Sequence, residues 1–482
     1  MRWLAAIAVV LLTGCGGAAR TAGRPDSSGS TLRSTYADTD GDGRLSPAPG
    51  EPLRDRTQLG PRTATGREVA RFAQVSDAHV RDEETPARAP FLDRLGDPFT
   101  SVFRPQEALT AQVLVGAVRA INAFGPRQVV ETGDLADSTQ RNELEAGIRA
   151  LSGGRVDPSS GARRYEGVQA ASEPDPFYYR PGVDAPRHAG LLTAAQRPLR
   201  SPGLRAPWLP VTGNHDVLVD GEIAPTPRTS ALAVGDRVPA RPADGPDLPR
   251  DAAQARLAVD ALLTPDALAR GTLVTADAAR AELGAGAVAL LQRGSGAGGN
   301  AARLNYTFDL GPRVRGIALD TVQRETGSGG FVGSGELEFL RASLAAAGSH
   351  WVLVFSHQPL SGAAGGAAAR ALLAANPRVL ATIAGHTHRN RIVARPTPAG
   401  GYWDILTASL ADFPQQARAL RVLETAGGGA VIETWMLDTA PGELPDIARE
   451  LAHLDAQGGR PDGAAGTRPD RNVRLWRAAS AG

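Results

Sequence analysis

Five short apolar runs in this chain each lead directly into residues that hold metals or protons. Arg71-Phe-Ala-Gln-Val75 leads to Ser76-Asp77-Ala-His79, and Gln128-Val-Val130 to Gly133-Asp134-Leu-Ala-Asp137. Trp208-Leu-Pro-Val211 leads to Gly213-Asn214-His215-Asp216. Trp351-Val-Leu-Val-Phe355 leads to Ser356-His357, and Val379-Leu-Ala-Thr-Ile383 to Gly385-His386-Thr-His388. Apolar runs this short, bounded by Gly or Pro, fit buried strands. Between the first two lies a helix candidate: Pro105 suits its first turn, Leu109, Val113, Ala117, Ile121 and Phe124 share a face, and Gly125-Pro126 stops it. A second runs from Glu336 to Ala347, with Leu337, Leu340 and Leu344 on one side. Tyr402 to Leu406, Ala419 to Leu423 and Ala430 to Met436 read as further strands. Strands alternating with helices predict an α/β fold. Open α/β sheets gather ligands at the carboxyl ends of their strands, so the five polar strand ends are expected to meet in one crevice.

The donor types narrow the chemistry. Asp77 and Asp134 offer carboxylates, Asn214 an amide oxygen, and His79, His215, His357, His386 and His388 four or five imidazoles. Sulfur is absent from that set, because Cys15 is the only Cys. Mixed nitrogen and oxygen donors suit Zn, Mn, Fe or Co better than Ca or Mg. Six or seven donors exceed what one tetrahedral ion takes, whereas two ions sharing a bridging carboxylate would use them all. A pair of ions about 3.5–4 Å apart can clamp the attacking and leaving oxygens of a displacement at phosphorus. His386 and His388, with one residue between them, then read as one imidazole for each ion.

Composition removes competing classes. The 482 residues contain no Lys, so a Walker A loop and Schiff-base chemistry are excluded. A net charge of +1 and 5% aromatic residues argue against a general nucleic-acid binder. At the N-terminus, Met1-Arg2 precedes an apolar run from Trp3 to Leu12, the length of a signal-peptide core and too short to span a bilayer. It ends in Leu12-Thr13-Gly14-Cys15, which resembles the lipobox of bacterial lipoproteins. That resemblance implies a signal peptide over 1–15, acylation of Cys15, and an extracytoplasmic protein held to the membrane by lipid.

The ordered set D-x-H, G-D-x-x-D, G-N-H-D, H and G-H-x-H, from Asp77 to His388, resembles the calcineurin-like metallophosphoesterase superfamily. Thr132-Gly-Asp-Leu-Ala-Asp137 with Gly213-Asn-His-Asp216 is similar to its bacterial cyclic-nucleotide phosphodiesterases. Arg104-Pro-Gln-Glu107 and Gln140-Arg-Asn-Glu143 more closely resemble a group of uncharacterised actinobacterial members. The resemblance implies a four-layer α/β/β/α sandwich that hydrolyses a small phosphomonoester or phosphodiester with two divalent or trivalent ions (Mn, Fe or Zn) and a metal-bound hydroxide. Asp77, His79 and His388 would hold the first ion, Asn214, His357 and His386 the second, and Asp134 would bridge them. His215 would stabilise developing charge or protonate the leaving oxygen, with Asp137 orienting it. A 3',5'-cyclic-nucleotide phosphodiesterase, a nuclease and a non-catalytic metal-binding surface lipoprotein are the alternatives.

The remaining segments are read from composition. Residues 16–65, rich in Gly, Ser, Thr, Pro and Asp, read as a linker from the lipid to a domain spanning 66–440. Within them Asp38, Asp40 and Asp42 match half of a calcium loop, but Pro49 stands where the bidentate acid belongs. A solvated acidic turn is the first reading of that stretch. Residues 143–207 and 221–303 read as loop-rich insertions, the second with a helix candidate from Asp251 to Leu263, and 441–482 as a C-terminal extension whose last twenty or so residues are expected to pack loosely. Asp216, Asp320-Thr321 and Asp412 are expected to serve turns or caps, and His188, His350 and His453 to be ordinary residues.

Overall fold

The computed structural model describes residues 29–95, 102–240, 268–299, 302–325, 327–455 and 461–479. The apolar leader, Cys15 and the Asp251–Leu263 helix candidate lie outside the described residues.

In chain order the principal elements are β1 (Arg54–Leu59), β2 (Thr65–Val75), α1 (Thr110–Phe124), β3 (Gln128–Glu131), α2 (Arg141–Ser152), β4 (Trp208–Pro210) and α3 (Gly286–Ser295). There follow β5 (Tyr306–Gly311), β6 (Val314–Ala318), α4 (Ser334–Ala346), β7 (Trp351–Phe355), α5 (Gly366–Ala375), β8 (Val379–Ala384) and β9 (Arg391–Arg395). The last are β10 (Tyr402–Leu406), β11 (Gln416–Thr425), β12 (Ala430–Asp438), α6 (Glu443–Leu454) and β13 (Val473–Arg477). A seven-stranded sheet runs β1-β13-β12-β11-β2-β3-β4, and a six-stranded sheet runs β5-β6-β7-β8-β10-β9. The strands β2, β3 and β4 are parallel, as are β6, β7, β8 and β10. Each sheet therefore delivers several strand ends to one side.

β7 shows why the sheets stack. Trp351, Leu353 and Phe355 belong to the core shared by both sheets, while Val352 and Val354 pack with Leu340, Leu344 and Leu373 of α4 and α5. The period-2 alternation of a strand puts apolar groups on both faces, so β7 needs a cover on each side. Phe355 meets Phe72 of β2 edge-on at 5.9 Å and Phe308 of β5 at 5.6 Å. On the far face of the seven-stranded sheet, α1 packs against β11 and β12 and is flanked by α2 and α6. The layers are thus helices, sheet, sheet, helices, as the motif resemblance implied. α1 begins later than Pro105 suggests: a 3-10 turn at Glu107–Leu109 precedes it, and Gly125 in the left-handed region ends it.

Two boundaries differ from the sequence reading. The linker ends well before residue 65. Ser34–Ala37 pairs with Ser46–Pro49, Thr31 N–H donates to Met436 O at 3.1 Å, and β1 pairs with β13. At the other end, β13 lies inside the seven-stranded sheet between β1 and β12, and α6 packs on α1. The domain therefore begins before residue 66 and extends past 440. β1 carries Arg-Asp-Arg-Thr-Gln-Leu with mostly exposed side chains. An edge strand needs no apolar alternation, so composition read it as linker.

The two insertions pack on each other through one cluster. Val168 and Tyr178 of the first meet Val238, Ala240 and Val274 of the second around Phe103. In the acidic stretch, Asp38 accepts from the N–H groups of Gly41 at 2.7 Å and Gly43 at 3.0 Å, which closes a hairpin turn. Among the described residues no helix is long and apolar enough to cross a membrane.

Candidate metal centre

The two sheets meet at the ends of β2, β3, β4, β7 and β8. Gln74 ties them together: it donates to Thr132 Oγ1 at 2.9 Å and to Ala384 O at 3.3 Å, and it accepts from Thr407 Oγ1 at 2.6 Å. Just beyond it, Asp77, His79, Asp134, His386 and His388 all have positive φ, from 43° to 65°. Asp and His enter this left-handed region more readily than most residues, at a cost of order 1 kcal/mol or more. The cost is met by fixed bonds. Asp77 N–H donates to Gly133 O at 3.0 Å, His79 N–H to Asp134 O at 2.9 Å, and His386 N–H to Asp77 Oδ1 at 3.0 Å. Gly385 has to be Gly, because a Cβ there would stand 2.4 Å from Asp77 Oδ2.

Two groups of donors result. In the first, His79 Nε2 and His388 Nε2 are 3.1 Å apart, and His388 Nε2 is 3.4 Å from Asp77 Oδ1. In the second, His357 Nε2 lies 3.0 Å from Asp134 Oδ2 and 3.0 Å from Asn214 Oδ1, with His386 in reach. Asp134 Oδ2 stands between the groups, 3.8 Å from His79 Nε2. The structure therefore brings together all seven residues that the motifs nominated as ligands.

The outer nitrogens decide what those inner atoms can be. His79 Nδ1 donates to Asp137 Oδ1 at 2.7 Å, and His388 Nδ1 donates to Asp412 Oδ2. His357 Nδ1 donates to Thr132 O at 2.8 Å. Carboxylates and carbonyls only accept, so in the neutral ring each Nε2 presents a lone pair inward. Lone pairs facing each other at these distances repel unless a cation lies among them. Ligands of one ion at 2.0–2.1 Å stand roughly 2.9–3.4 Å apart, which matches both groups. Without a metal cation, a proton takes the place: burial lowers the pKa of His357, but the charge and hydrogen bond of Asp134 more than offset it and hold it up at about 10. The donor set thus fits a pair of metal ions.

Asn214 is oriented from both ends. Its Nδ2 donates to Gly221 O at 3.0 Å, and its Oδ1 accepts from Gln358 Nε2 at 3.1 Å. Gln358 in turn accepts from Thr321 Oγ1 at 2.7 Å. Asp216 does what a cap and loop clamp require. It accepts from the N–H groups of Gly213 at 2.8 Å, Asp134 at 3.1 Å, Leu135 at 3.0 Å and Ala136 at 3.1 Å. Burial, with the charge of Asp134 adding to it, pushes its pKa up to about 7.

His215 is half-buried beside the first group, its ring edge-on to His79 at 4.6 Å. One expectation fails here. The carboxylate of Asp137 does not hold His215; it holds His79 and is paired with Arg88. His215 Nδ1 donates instead to the main-chain carbonyl of Asp137 at 2.6 Å. The G-D-x-x-D loop turns so that the side chain points toward the first donor group and the carbonyl toward His215. Burial lowers the His215 pKa, against the pull of Asp134.

Four contributors were not legible as such. Asp412, expected in a turn, bonds His388; Gln358 was overlooked although it follows His357; Arg104 and Arg88 join the carboxylates from remote segments. Asp320 does serve a turn, bonding Leu304 N–H at 3.2 Å and Arg324 at 2.6 Å. His188, His350 and His453 lie outside the centre.

The fold and donor set define an α/β sandwich with paired metal subsites at its strand ends. No family model and no curated protein matches this sequence. Solved structures do. A dimetal phosphatase from Danio rerio is 15% identical with a TM-score of 0.39, over 78% of this chain and 100% of that one. A purple acid phosphatase from yellow lupin is 10% identical with a TM-score of 0.34, over 90% and 57%. The NAD nucleotidase of Haemophilus influenzae is 9% identical with a TM-score of 0.29, over 84% and 57%. At these scores the likenesses add no weight, and the functional reading rests on the geometry of the site.

Proposed function

We propose that this chain is a two-metal phosphoesterase acting on a small phosphomonoester or phosphodiester. The observation that carries the reading is the inward-facing Nε2 atoms of His79, His388 and His357, each with its outer nitrogen engaged by an acceptor. Asp77, His79 and His388 would hold one ion, Asn214, His357 and His386 the other, and Asp134 both. When bound, such ions supply Lewis acidity toward a phosphoryl group and its attacking water. Manganese, iron and zinc all suit these donors.

The protein's own residues do the rest. Positive φ at Asp77, His79, Asp134, His386 and His388 helps aim donors from two sheets at the two groups. Gly221 packs on His215, where a Cβ would stand 2.4 Å from Nε2, and so fixes the ring. With Nδ1–H tied to the Asp137 carbonyl, His215 in its protonated form carries on Nε2 the proton that it gives to the leaving oxygen or turns toward its developing charge. The lipobox ending at Cys15 belongs to the same proposal and would place the enzyme outside the cytoplasm on a lipid anchor. Cys15→Ala should then move the expressed protein from the detergent phase to the aqueous phase.

The activity is tested with His215→Ala and Asp134→Asn on chromogenic mono- and diesters in the presence of Mn, Fe or Zn. Each variant should lose 100-fold or more of kcat, on the order expected for a proton-transfer group or a shared ligand. Undiminished turnover in both variants would remove the mechanism.

A further inference from the structure

Arg104 lies far from the donor motifs in sequence, in the Arg104-Pro-Gln-Glu107 stretch that precedes α1, yet it is fully buried beside the first donor group. Its Nε donates to Asp412 Oδ1 at 2.8 Å, and its Nη1 stands 3.6 Å from Asp137 Oδ1. Those are the two carboxylates that hold the outer nitrogens of His388 and His79. One guanidinium thus spans both supports of the first donor group. The stretch is itself anchored: Arg104 N–H donates to Glu107 Oε2 at 3.0 Å, and Gln106 Nε2 donates to Ala411 O at 3.0 Å.

The second donor group is supported differently. Thr132 O holds His357, and Gly221 O and Gln358 hold Asn214, all of them neutral groups. No hydrogen bond to the His386 ring is seen among the described residues, and that ring is half-exposed. Charge-assisted bonds to a planar, fully ionised guanidinium fix geometry more firmly than neutral ones.

We propose that Arg104, acting through Asp412 and Asp137, is a positioning residue for the first subsite. It sets His388 and His79 at the separation one ion requires and leaves the second subsite unaffected. This deepens the two-metal reading and rests on it. Partners that orient a metal-bound His typically contribute 10–100-fold to affinity. Arg104 should therefore affect one of the two ions and not the other.

The test uses the full chain and Co(II) alone as the probe, with binding followed by calorimetry and by the visible ligand-field bands. The wild-type protein should take two ions in distinguishable steps. Arg104→Met and Asp412→Asn should each weaken one step by about 10–100-fold and shift its bands, with the other step within about threefold. Arg104→Lys, which keeps the charge without the fork, should restore part of the loss. His388→Ala identifies the first-subsite step and His386→Ala the second. Should Arg104→Met not fold, Arg104→Lys carries the comparison, and wild-type affinity at both steps in it would overturn the proposal. Wild-type affinity for both ions in Arg104→Met and Asp412→Asn, or equal weakening of both, would overturn the proposal. A wild-type chain that takes up no metal would overturn the two-metal reading itself, and this one with it.

Discussion

Replacing Asp216 with Ala is the sharpest single perturbation the site offers. Asp216 touches no substrate position; its carboxylate accepts four backbone N–H groups, from Gly213, Asp134, Leu135 and Ala136, and is fully buried. In the variant all four donors lose their acceptor in a place water reaches poorly. A buried donor left unsatisfied costs about 1–3 kcal/mol. One or two waters entering the vacated volume would relieve part of that, so a net loss of about 4 kcal/mol is expected. That is a large share of the ~5–15 kcal/mol typical of a folded domain. The loss has a local consequence too. Asp134 sits at φ 56°, and with its N–H released it should relax from that conformation and swing its carboxylate off the line between the donor groups. Urea unfolding of the metal-free protein measures the first effect, and Co(II) binding the second. Asp216→Asn, which keeps one accepting oxygen, should fall between. Unfolding of Asp216→Ala within about 1 kcal/mol of wild type would refute the clamp, because no buried donor set of this kind is lost so cheaply.

Other perturbations test neighbouring links. Gly221→Ala should lower kcat at least tenfold and weaken Co(II) binding at the second donor group, since a Cβ there would press 2.3 Å from His215 Cδ2 and 2.5 Å from Asn214 Nδ2 at a φ of 71°; steady-state kinetics beside Co(II) binding checks it. Glu84 holds the first insertion by accepting from Glu166 N–H at 2.5 Å and Gln196 Nε2 at 2.8 Å, and burial raises its pKa to about 8. Because the folded-state value lies above the unfolded one, its contribution is full at low pH and is lost as pH rises toward and through about 8. Thermal melts should therefore show Glu84→Gln gaining on wild type between pH 6 and pH 9, and parallel curves would refute it. Phe355→Ala, at the contact between the sheets, should cost about 3–5 kcal/mol in the same urea assay.

The donor set was legible because chemistry leaves few substitutes. An imidazole or carboxylate at a strand end has to be written in the residue itself, so Asp77, His79, Asp134, Asn214, His357, His386 and His388 could be read off in order. The buried strands were legible for a similar reason: β7 is apolar throughout and β8 is apolar but for Thr382, because both faces are covered. β1 was not, since a mostly charged edge strand looks like a linker until its partner is known, and β13 was not, because its five residues follow a stretch rich in Gly, Pro and Asp. The supports of the site were hidden too. Asp137 was nominated for His215 but holds His79, and only the turn of its loop settles that. Asp412 and Arg104 stand 308 positions apart and meet as a 2.8 Å ion pair. Which residues could bind metal was determined by the sequence alone. Which nitrogen of each ring faces inward, and what holds it there, was decided by the tertiary structure. A ligand's identity is a property of one residue, whereas its orientation is set by hydrogen bonds to groups that only the packed sheets bring near.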